Sequence, residues 1–207
     1  MKEGNIVTAP FRLAFPQVFE AKASIEGGKE KFSITMLFPK DGSPLIPSLS
    51  KDNGIMAIRK LLTEAIKAKY GEDKAKWPAP FKGMDVKTVI SMNGKDGWPV
   101  RDGDMVEWDG FEGNLFVRAS TQFPIGVVDR KLQPVMNSSD VFGGLICRAE
   151  INAYCYDTNG NKGVTLGVNN LQILKDDGVV LGGKSRPEDS FEAFYDGDSS
   201  STADDDF

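Results

Sequence analysis

Hydrophobic and polar residues alternate along several stretches of the chain, as is typical of β-strands with one buried face. In the first stretch Phe11, Leu13 and Phe15 share the apolar face, and in the second Phe32 and Ile34 do so. The alternation predicts strands over residues 6–15, 30–38, 111–120, 143–156 and 164–174.

The connection between the last two strands has strong hairpin signals. Residues 157–163 read DTNGNKG, and an Asn-Gly pair between alternating segments favours a tight β-turn. In the following strand the apolar positions change parity at Asn169 and Asn170. This change predicts a β-bulge, a feature often found where a small barrel closes.

One segment has a helical rather than a strand period. Between residues 54 and 70 the apolar side chains recur at helical spacing, and Gly71 is placed to end the helix. The long segment 71–110 is rich in Gly, Pro, Trp and charged residues, and we predict one strand in it at 86–92. Loops of this length inside a compact domain are usually functional or mobile.

These elements predict a mostly β protein. Five or six strands, one helix and hairpin connections favour a small OB-like β-barrel with one inserted amphipathic helix over an α/β sheet. The hydrophobic pattern fades from about residue 186, and residues 196–206 have the composition of a disordered chain. We therefore divide the chain into an OB-fold domain at 1–187 and a flexible acidic tail at 188–207.

Charge is distributed unequally between these two parts. The tail contains eight acidic residues and no Lys or Arg, which leaves 25 basic and 22 acidic residues in 1–187. A mildly basic body with a strongly acidic tail is expected of a nucleic-acid-binding protein that carries a separate interaction segment. A tail that only keeps the protein soluble would have the same composition.

The composition argues against most enzyme classes. The chain has no histidine, which removes the commonest general base and the usual transition-metal ligand. Cys147 and Cys155 lie eight residues apart in one predicted strand, where they cannot bridge each other. We expect no cofactor. No run of residues is apolar enough to span a bilayer and the first residues lack a signal-peptide pattern, so we expect a cytoplasmic protein without membrane contacts.

Two predicted strands carry aromatic and cationic side chains on their outward faces. The odd positions of 111–120 and 143–156 are small or apolar and suit a barrel interior. Unpaired bases stack on aromatic rings, and each nucleotide adds a phosphate that Arg or Lys can neutralise. A neighbouring loop could instead cover these residues, which would then form a second core. The outward residues proposed to contact single-stranded nucleic acid are Phe116, Arg118, Arg148, Tyr154 and Tyr156.

The long loop region contains a second aromatic and basic cluster that could close over a bound strand. Tryptophan in a loop also often pins that loop to the core, so both interpretations stay open. We predict that Lys31 and Lys162 lie near the same surface. The cluster includes Trp77, Lys95, Trp98, Arg101 and Trp108, of which Trp77, Trp98 and Arg101 are candidate contacts.

Two alternatives to nucleic-acid binding remain. Asp102 and Asp104 belong to the only acidic cluster of the body that suggests metal-ion chemistry, and a metal-dependent nuclease would need several such carboxylates at one site. The sequence Asp102-Gly103-Asp104 also fits a turn. A protein-binding or virion component without affinity for DNA is the second alternative.

One long segment, FGGLICRAEINAYCYDTNGNKGVTLGVNNLQILKDDGVVLGG at 142–183, resembles the single-stranded DNA-binding proteins of tailed phages, which have an OB-fold. FRLAFPQVFEA and KEKFSITMLFPK, near the start of the chain, support the same resemblance. It covers most of residues 5–185, whereas the segment around 84–100 departs from the pattern. The resemblance implies DNA binding with little sequence preference during phage replication and recombination.

The C-terminal sequence ADDDF resembles the ends of replicative single-stranded DNA-binding proteins of bacteria and phages. Those ends recruit replication and recombination proteins. The resemblance therefore implies that partner proteins contact Asp204, Asp205, Asp206 and Phe207.

Overall fold

The computed structural model describes residues 4–23, 27–49, 54–92, 94–158 and 160–182. The predicted acidic tail, including Asp204–Phe207, lies outside these residues, and so does the predicted domain boundary after residue 187.

The described residues form eight strands and one α-helix. The helix α1 (Gly54–Tyr70) follows the third strand, and short 3-10 turns occupy parts of the loops. The strands are β1 (Ile6–Val7), β2 (Phe11–Ala23), β3 (Glu30–Pro39), β4 (Arg101–Asp102), β5 (Asn114–Thr121), β6 (Gly126–Val128), β7 (Ile146–Thr158) and β8 (Asn161–Lys175).

Five of these strands form a ring. β2 pairs antiparallel with β3, β3 with β5, and β7 with both β8 and β2. A parallel pairing of Ala119 in β5 with Leu166 in β8 completes the ring. This order is that of a five-stranded, partly open Greek-key barrel, the OB-fold. The ring is not a clean barrel, because β2–β7 and β5–β8 pair over short stretches. The predicted mostly β, OB-like fold with an inserted helix is confirmed.

The apolar face of α1 closes the core. Its residues Ile58, Leu62 and Ile66 are fully buried, and the helix packs against β7 and β8. The helix ends at Gly71, whose φ of +85° suits glycine and whose N–H donates to the Lys67 carbonyl at 2.8 Å. In the part of the chain that the structure describes, no helix has the length and apolar character that crossing a membrane would require.

The strand predicted at 86–92 does not form. The guanidinium of Arg59, on α1, donates hydrogen bonds to the carbonyl oxygens of Lys87, Thr88 and Val89. These bonds hold the segment in turns, because carbonyl groups bound by a side chain are not available to a strand ladder. Only an isolated bridge between Ser91 and Arg101 remains of the predicted strand.

The predicted bulge in β8 is confirmed. Glu150 pairs with Asn170, whereas the next residue of β7, Ile151, pairs with Val168. Asn169 is therefore the extra residue of the bulge. Bulges bend a strand and increase its twist. Side chains of β7 and β8 on the two sides of this bulge therefore point in different directions.

Candidate nucleic-acid interface

Three adjoining depressions lie on the outer face of β3, β5, β7 and β8. Their volumes are about 650, 470 and 340 Å³. Thr165 lines the first and the second, while Lys31, Ser120 and Tyr154 line the first and the third. Because they share these residues, the depressions form one continuous surface, to which we refer as the groove.

The strand register explains which residues face the groove. Ser33 of β3 lies opposite Ser120 of β5, and Thr35 lies opposite Arg118. Residues directly opposite each other in an antiparallel pair share a face of the sheet. The alternating apolar residues of both strands therefore point into the core, and these polar residues line the groove.

The β7–β8 hairpin adds two tyrosines to the groove. Tyr154 is 41% exposed and lies opposite Thr165. Tyr156 lies opposite Gly163, and a Cβ atom added to Gly163 would come within 2.2 Å of the Tyr156 hydroxyl oxygen. The absence of a side chain at Gly163 therefore allows the Tyr156 ring to lie flat across the neighbouring strand.

The groove is electropositive. Among the described residues that line it there are four cations and no carboxylate. A concave surface with charges of one sign concentrates ligands of the opposite charge. Its cations are Lys31, Lys95, Arg101 and Arg118.

A chain of hydrogen bonds on the groove floor orients Arg118. The Nη2 atom of Arg118 donates to the Ser33 hydroxyl at 3.0 Å, and that hydroxyl donates to Gln17 Oε1 at 3.1 Å. Ser33 is 1% exposed, so its hydroxyl needs both partners. This hydrogen bond holds the Arg118 side chain along the groove, where Arg118 is still exposed to solvent.

Four aromatic residues, Phe15, Trp108, Phe111 and Phe116, meet at one end of the groove, and we refer to them as the aromatic corner. Phe111 is at its centre, with ring centroids 5.5 Å from Phe15, 5.1 Å from Trp108 and 5.0 Å from Phe116. The guanidinium carbon of Arg101 lies 4.9 Å from the Phe116 centroid, within the range of a cation–π contact.

The structure brings seven of the ten predicted nucleic-acid contacts to this one groove. Phe116 is only 4% exposed, because Trp108 and Phe111 partly cover it, so the alternative of a second core applies to this ring. The seven are Lys31, Trp98, Arg101, Phe116, Arg118, Tyr154 and Tyr156.

Two of the predicted contacts, both tryptophans, are core residues. Trp77 is 3% exposed, and its Nε1 donates to the Gly71 carbonyl at 2.8 Å. Trp98 lines the second depression but is only 1% exposed, because most of its ring packs in the main core. Their rings are not available to stack on bases. Both tryptophans pin the long loop to the core, which was the alternative interpretation of this cluster.

Two other predicted contacts lie away from the groove. Arg148 lines a separate depression beyond the bulge, and its Nε donates to Gln172 Oε1 at 2.7 Å. Lys162 pairs in register with Asp157, and its Nζ lies 3.4 Å from an Asp157 carboxylate oxygen. Strand alternation places this pair on the opposite face from Tyr156. Sequence parity did not show how the bulge and hairpin would turn these side chains.

Phe15 and Phe123 line the groove, but the sequence pattern did not identify them as candidate contacts. We predicted Phe15 on the buried face of its strand, but it is 45% exposed. Pro16 was the available signal, because proline within a strand often marks a bulge. Phe123, 76% exposed, follows β5 in a turn where no periodicity operates. The loop residues Lys95 and Trp108 also line the groove.

The acidic pair considered for metal-ion chemistry has a structural role. Asp102 and Asp104 both form ion pairs with Lys40, and Asp104 also accepts a hydrogen bond from the Gly113 N–H at 2.6 Å. The hydrogen bond from Lys40 lowers the pKa of the Asp104 carboxyl. Within the described residues, no group of three or more Cys, Asp or Glu residues is arranged to hold a metal ion. The pair instead orders the segment next to Arg101.

An OB-type ring with a cationic groove and exposed aromatic rings is the architecture of a single-strand nucleic-acid-binding domain. A family model described as Enterobacter phage Enc34, ssDNA-binding protein, matches residues 4–207. The chain belongs to this family, and the resemblance to phage single-stranded DNA-binding proteins is confirmed.

One curated relative and two solved structures extend this comparison. Protein p50 of Acyrthosiphon pisum secondary endosymbiont phage 1 is 30% identical over 175 residues, which are 83% of this chain and 84% of p50. The single-stranded DNA-binding protein of bacteriophage Enc34, solved in complex with ssDNA, is 19% identical with a TM-score of 0.61 and covers 85% of this chain and 89% of its own. Bacteriophage T7 gp2.5, a single-stranded DNA-binding protein, is 14% identical with a TM-score of 0.51 over 91% and 98% of the two chains. Both structures share the fold.

Proposed function

We propose that this chain binds single-stranded DNA in the groove, with little base preference, during phage DNA replication and recombination. It acts as a binding protein in the host cytoplasm and not as an enzyme. The observation that carries the proposal is one continuous surface that combines four cations, exposed rings and no carboxylate among the described residues lining it. The family to which the chain belongs is described as the ssDNA-binding protein of Enterobacter phage Enc34, and this description names the same ligand.

Base stacking and phosphate contacts both contribute to the free energy of binding. Tyr154 and Tyr156 offer ring faces to unpaired bases, and stacking of this kind contributes roughly 1 to 3 kcal/mol per base. Lys31 lines the same depression as these rings, Arg118 lines the adjoining one, and both cations neutralise phosphates. Because every base has a π-face and every nucleotide a phosphate, neither contact selects a particular sequence.

The test is a double variant, Arg118→Ala with Tyr154→Ala, titrated with oligo-dT. Loss of one phosphate contact and one stacked base should weaken binding by about 10- to 100-fold. Both residues are exposed, so the thermal melting curve should change little. Arg148→Ala is the matched control, since Arg148 lies outside the groove, and it should retain affinity. A folded double variant with undiminished affinity would contradict the proposal.

The acidic tail is a second part of the proposal, and it rests on the sequence alone. Residues Asp204, Asp205, Asp206 and Phe207 recruit replication or recombination proteins, and the polyanionic tail competes with DNA for the groove. Deleting residues 196–207 should therefore tighten oligo-dT binding at low salt. Equal affinity of the full-length and shortened chains at low ionic strength would rule out the competition. Removing Phe207 alone separates partner recruitment from charge.

A further inference from the structure

Phe15 has an unusual backbone conformation at the groove. Ala14 pairs with Thr35 and Gln17 with Ser33, so β2 contains one more residue than β3 between these pairs. Phe15 lies at this bulge, next to Pro16, with a φ of +45°. That is the left-handed region, which bulky side chains rarely adopt. Backbone strain of this kind persists where the surrounding structure enforces it, and it is concentrated at functional sites.

The strained conformation turns an aromatic ring outward. Ala14, just before Phe15, is 1% exposed, whereas Phe15 is 45% exposed. In a regular strand Phe15 would share the buried face of Leu13, and the extra residue moves it to the groove. Large aromatic side chains are normally buried, so an arrangement that exposes one at the expense of strain calls for a ligand.

Trp108 is exposed beside Phe15 in the same way. It is 44% exposed, and its ring lies 5.4 Å from Phe15, edge to face. Phe111 contacts both rings, with Phe15 stacked on it at an interplanar angle of 29°, and Phe116 contacts the ring of Trp108. The two exposed rings are therefore held in place, and both line the groove.

Cations next to these rings identify the class of ligand. Arg101 and Arg118 line the same depression as Phe15 and Trp108. A ligand with a flat apolar face and an attached anion satisfies both features, and a nucleotide with an unpaired base is such a ligand. The aromatic corner and the tyrosine pair lie at different positions along β5. Phe116 belongs to the aromatic corner, whereas Ser120, four residues later in β5, lines the same depression as Tyr154 and Tyr156.

We propose that Phe15 and Trp108 form a second stacking position, which holds one unpaired base while Arg101 and Arg118 bind the adjoining phosphates. This inference rests on the proposed function and adds a base-binding position that is distinct from Tyr154 and Tyr156. A strand in the groove is then held by stacking at both ends, with cations between them.

Intrinsic fluorescence tests the position directly. Trp77 and Trp98 are 3% and 1% exposed, whereas Trp108 is 44% exposed, so a stacked base should quench mainly Trp108. Saturating oligo-dT should reduce the emission of the native chain, and Trp108→Phe should remove most of that change. Undiminished quenching in Trp108→Phe would overturn the proposal. Quenching by an acidic peptide ending in Phe, without quenching by oligo-dT, would make the corner a peptide site and would also overturn it.

Affinity provides the second test. Phe15→Leu and Trp108→Leu keep apolar contacts with Phe111 and remove the π-face, and each should weaken oligo-dT binding by about 5-fold or more. The slope of affinity against salt should stay the same, because no phosphate contact is lost. Phe19→Leu is the matched control, because Phe19 is 39% exposed on the same strand without lining the groove.

The outcomes separate this inference from the proposed function. If the native chain does not bind oligo-dT at all, the proposed function fails. If it binds, and folded Phe15→Leu and Trp108→Leu both match Phe19→Leu in affinity, only the second stacking position fails. Thermal melting of each variant confirms that it is folded.

Discussion

The two faces of strand β8 show how one segment serves both stability and binding. On the core face Val164, Leu166 and Val168 are almost fully buried beneath α1 and the opposite strands. On the groove face the alternate positions include Gly163 and Gly167, and the atoms nearest to the place of their missing side chains belong to Tyr156 and Asn152 on β7. The core face maximises buried apolar area, whereas the groove face leaves room for rings and for a ligand. Substitutions on the two faces should therefore affect different measurements.

The largest effect is expected in the core. Leu62 is fully buried on α1, and Leu62→Ala should lower the free energy of unfolding by about 2 to 5 kcal/mol because it leaves a cavity. Tyr154→Ala, on the groove face, should lower it by less than about 1 kcal/mol. Urea denaturation measures both values. Similar losses for the two variants would show that the groove face is also part of the folding core.

A smaller effect is expected from a substitution of Gly163, on the groove face of β8. Gly163→Ala places a methyl group where the Tyr156 ring now lies, so the ring must swing away from the strand. Oligo-dT affinity should fall by about 5-fold, close to the loss of one stacked base. In a Tyr156→Ala background the same change should cost nothing further, because the two positions act through one ring. A full additional loss in that background would show that Gly163 acts independently of Tyr156.

Salt dependence distinguishes the cations of the groove from its rings. Arg118→Gln should reduce the slope of log affinity against log salt by about 0.7, the value for one phosphate on a single strand. Tyr154→Leu should weaken binding at every salt concentration and leave that slope unchanged. Titrations at four or more salt concentrations provide both slopes. An unchanged slope for Arg118→Gln would place the phosphates elsewhere.

The smallest effect is expected outside the groove, where Asp177, two residues after the end of β8, is bound to Arg12 of β2. The Arg12 guanidinium donates two hydrogen bonds of 2.9 Å to the Asp177 carboxylate. Hydrogen bonding from Arg12 lowers the pKa of Asp177 below its ordinary value of 3.8. A lowered pKa in the folded state stabilises the protein above the ordinary pKa, and this contribution is lost as the pH falls through the folded value.

Asp177→Asn should therefore cost about 1 kcal/mol of stability near pH 7, as expected for a two-point Arg–carboxylate pair that is partly exposed. The difference from the native chain should shrink as the pH falls below the ordinary Asp pKa. Oligo-dT affinity should not change. Denaturation curves at pH 7 and at pH values below that pKa measure the effect, and a difference that persists in strong acid would show that the carboxylate acts through packing and not charge.

Periodicity predicted the regular elements well, because alternation and helical spacing act over many residues at once. The core positions of β3, β7, β8 and α1 followed from it, and so did the bulge at Asn169. The segment 86–92 could not be predicted, because its conformation depends on a guanidinium from a distant helix. The outward faces of β5 and β7 were also predicted, but Phe116 became a buried floor when residues 108–111 folded over it.

By itself the sequence determined the long strands, the helix, the electropositive body and the candidate rings of Tyr154 and Tyr156, since these depend on local pattern and side-chain chemistry. Only the tertiary structure decided which candidates share a surface. It moved Arg148 and Lys162 away and buried Trp77 and Trp98. It also brought Phe15 beside Trp108, 93 positions later in the chain. The physical reason is that bulges and long-range packing turn side chains by amounts that no local periodicity records.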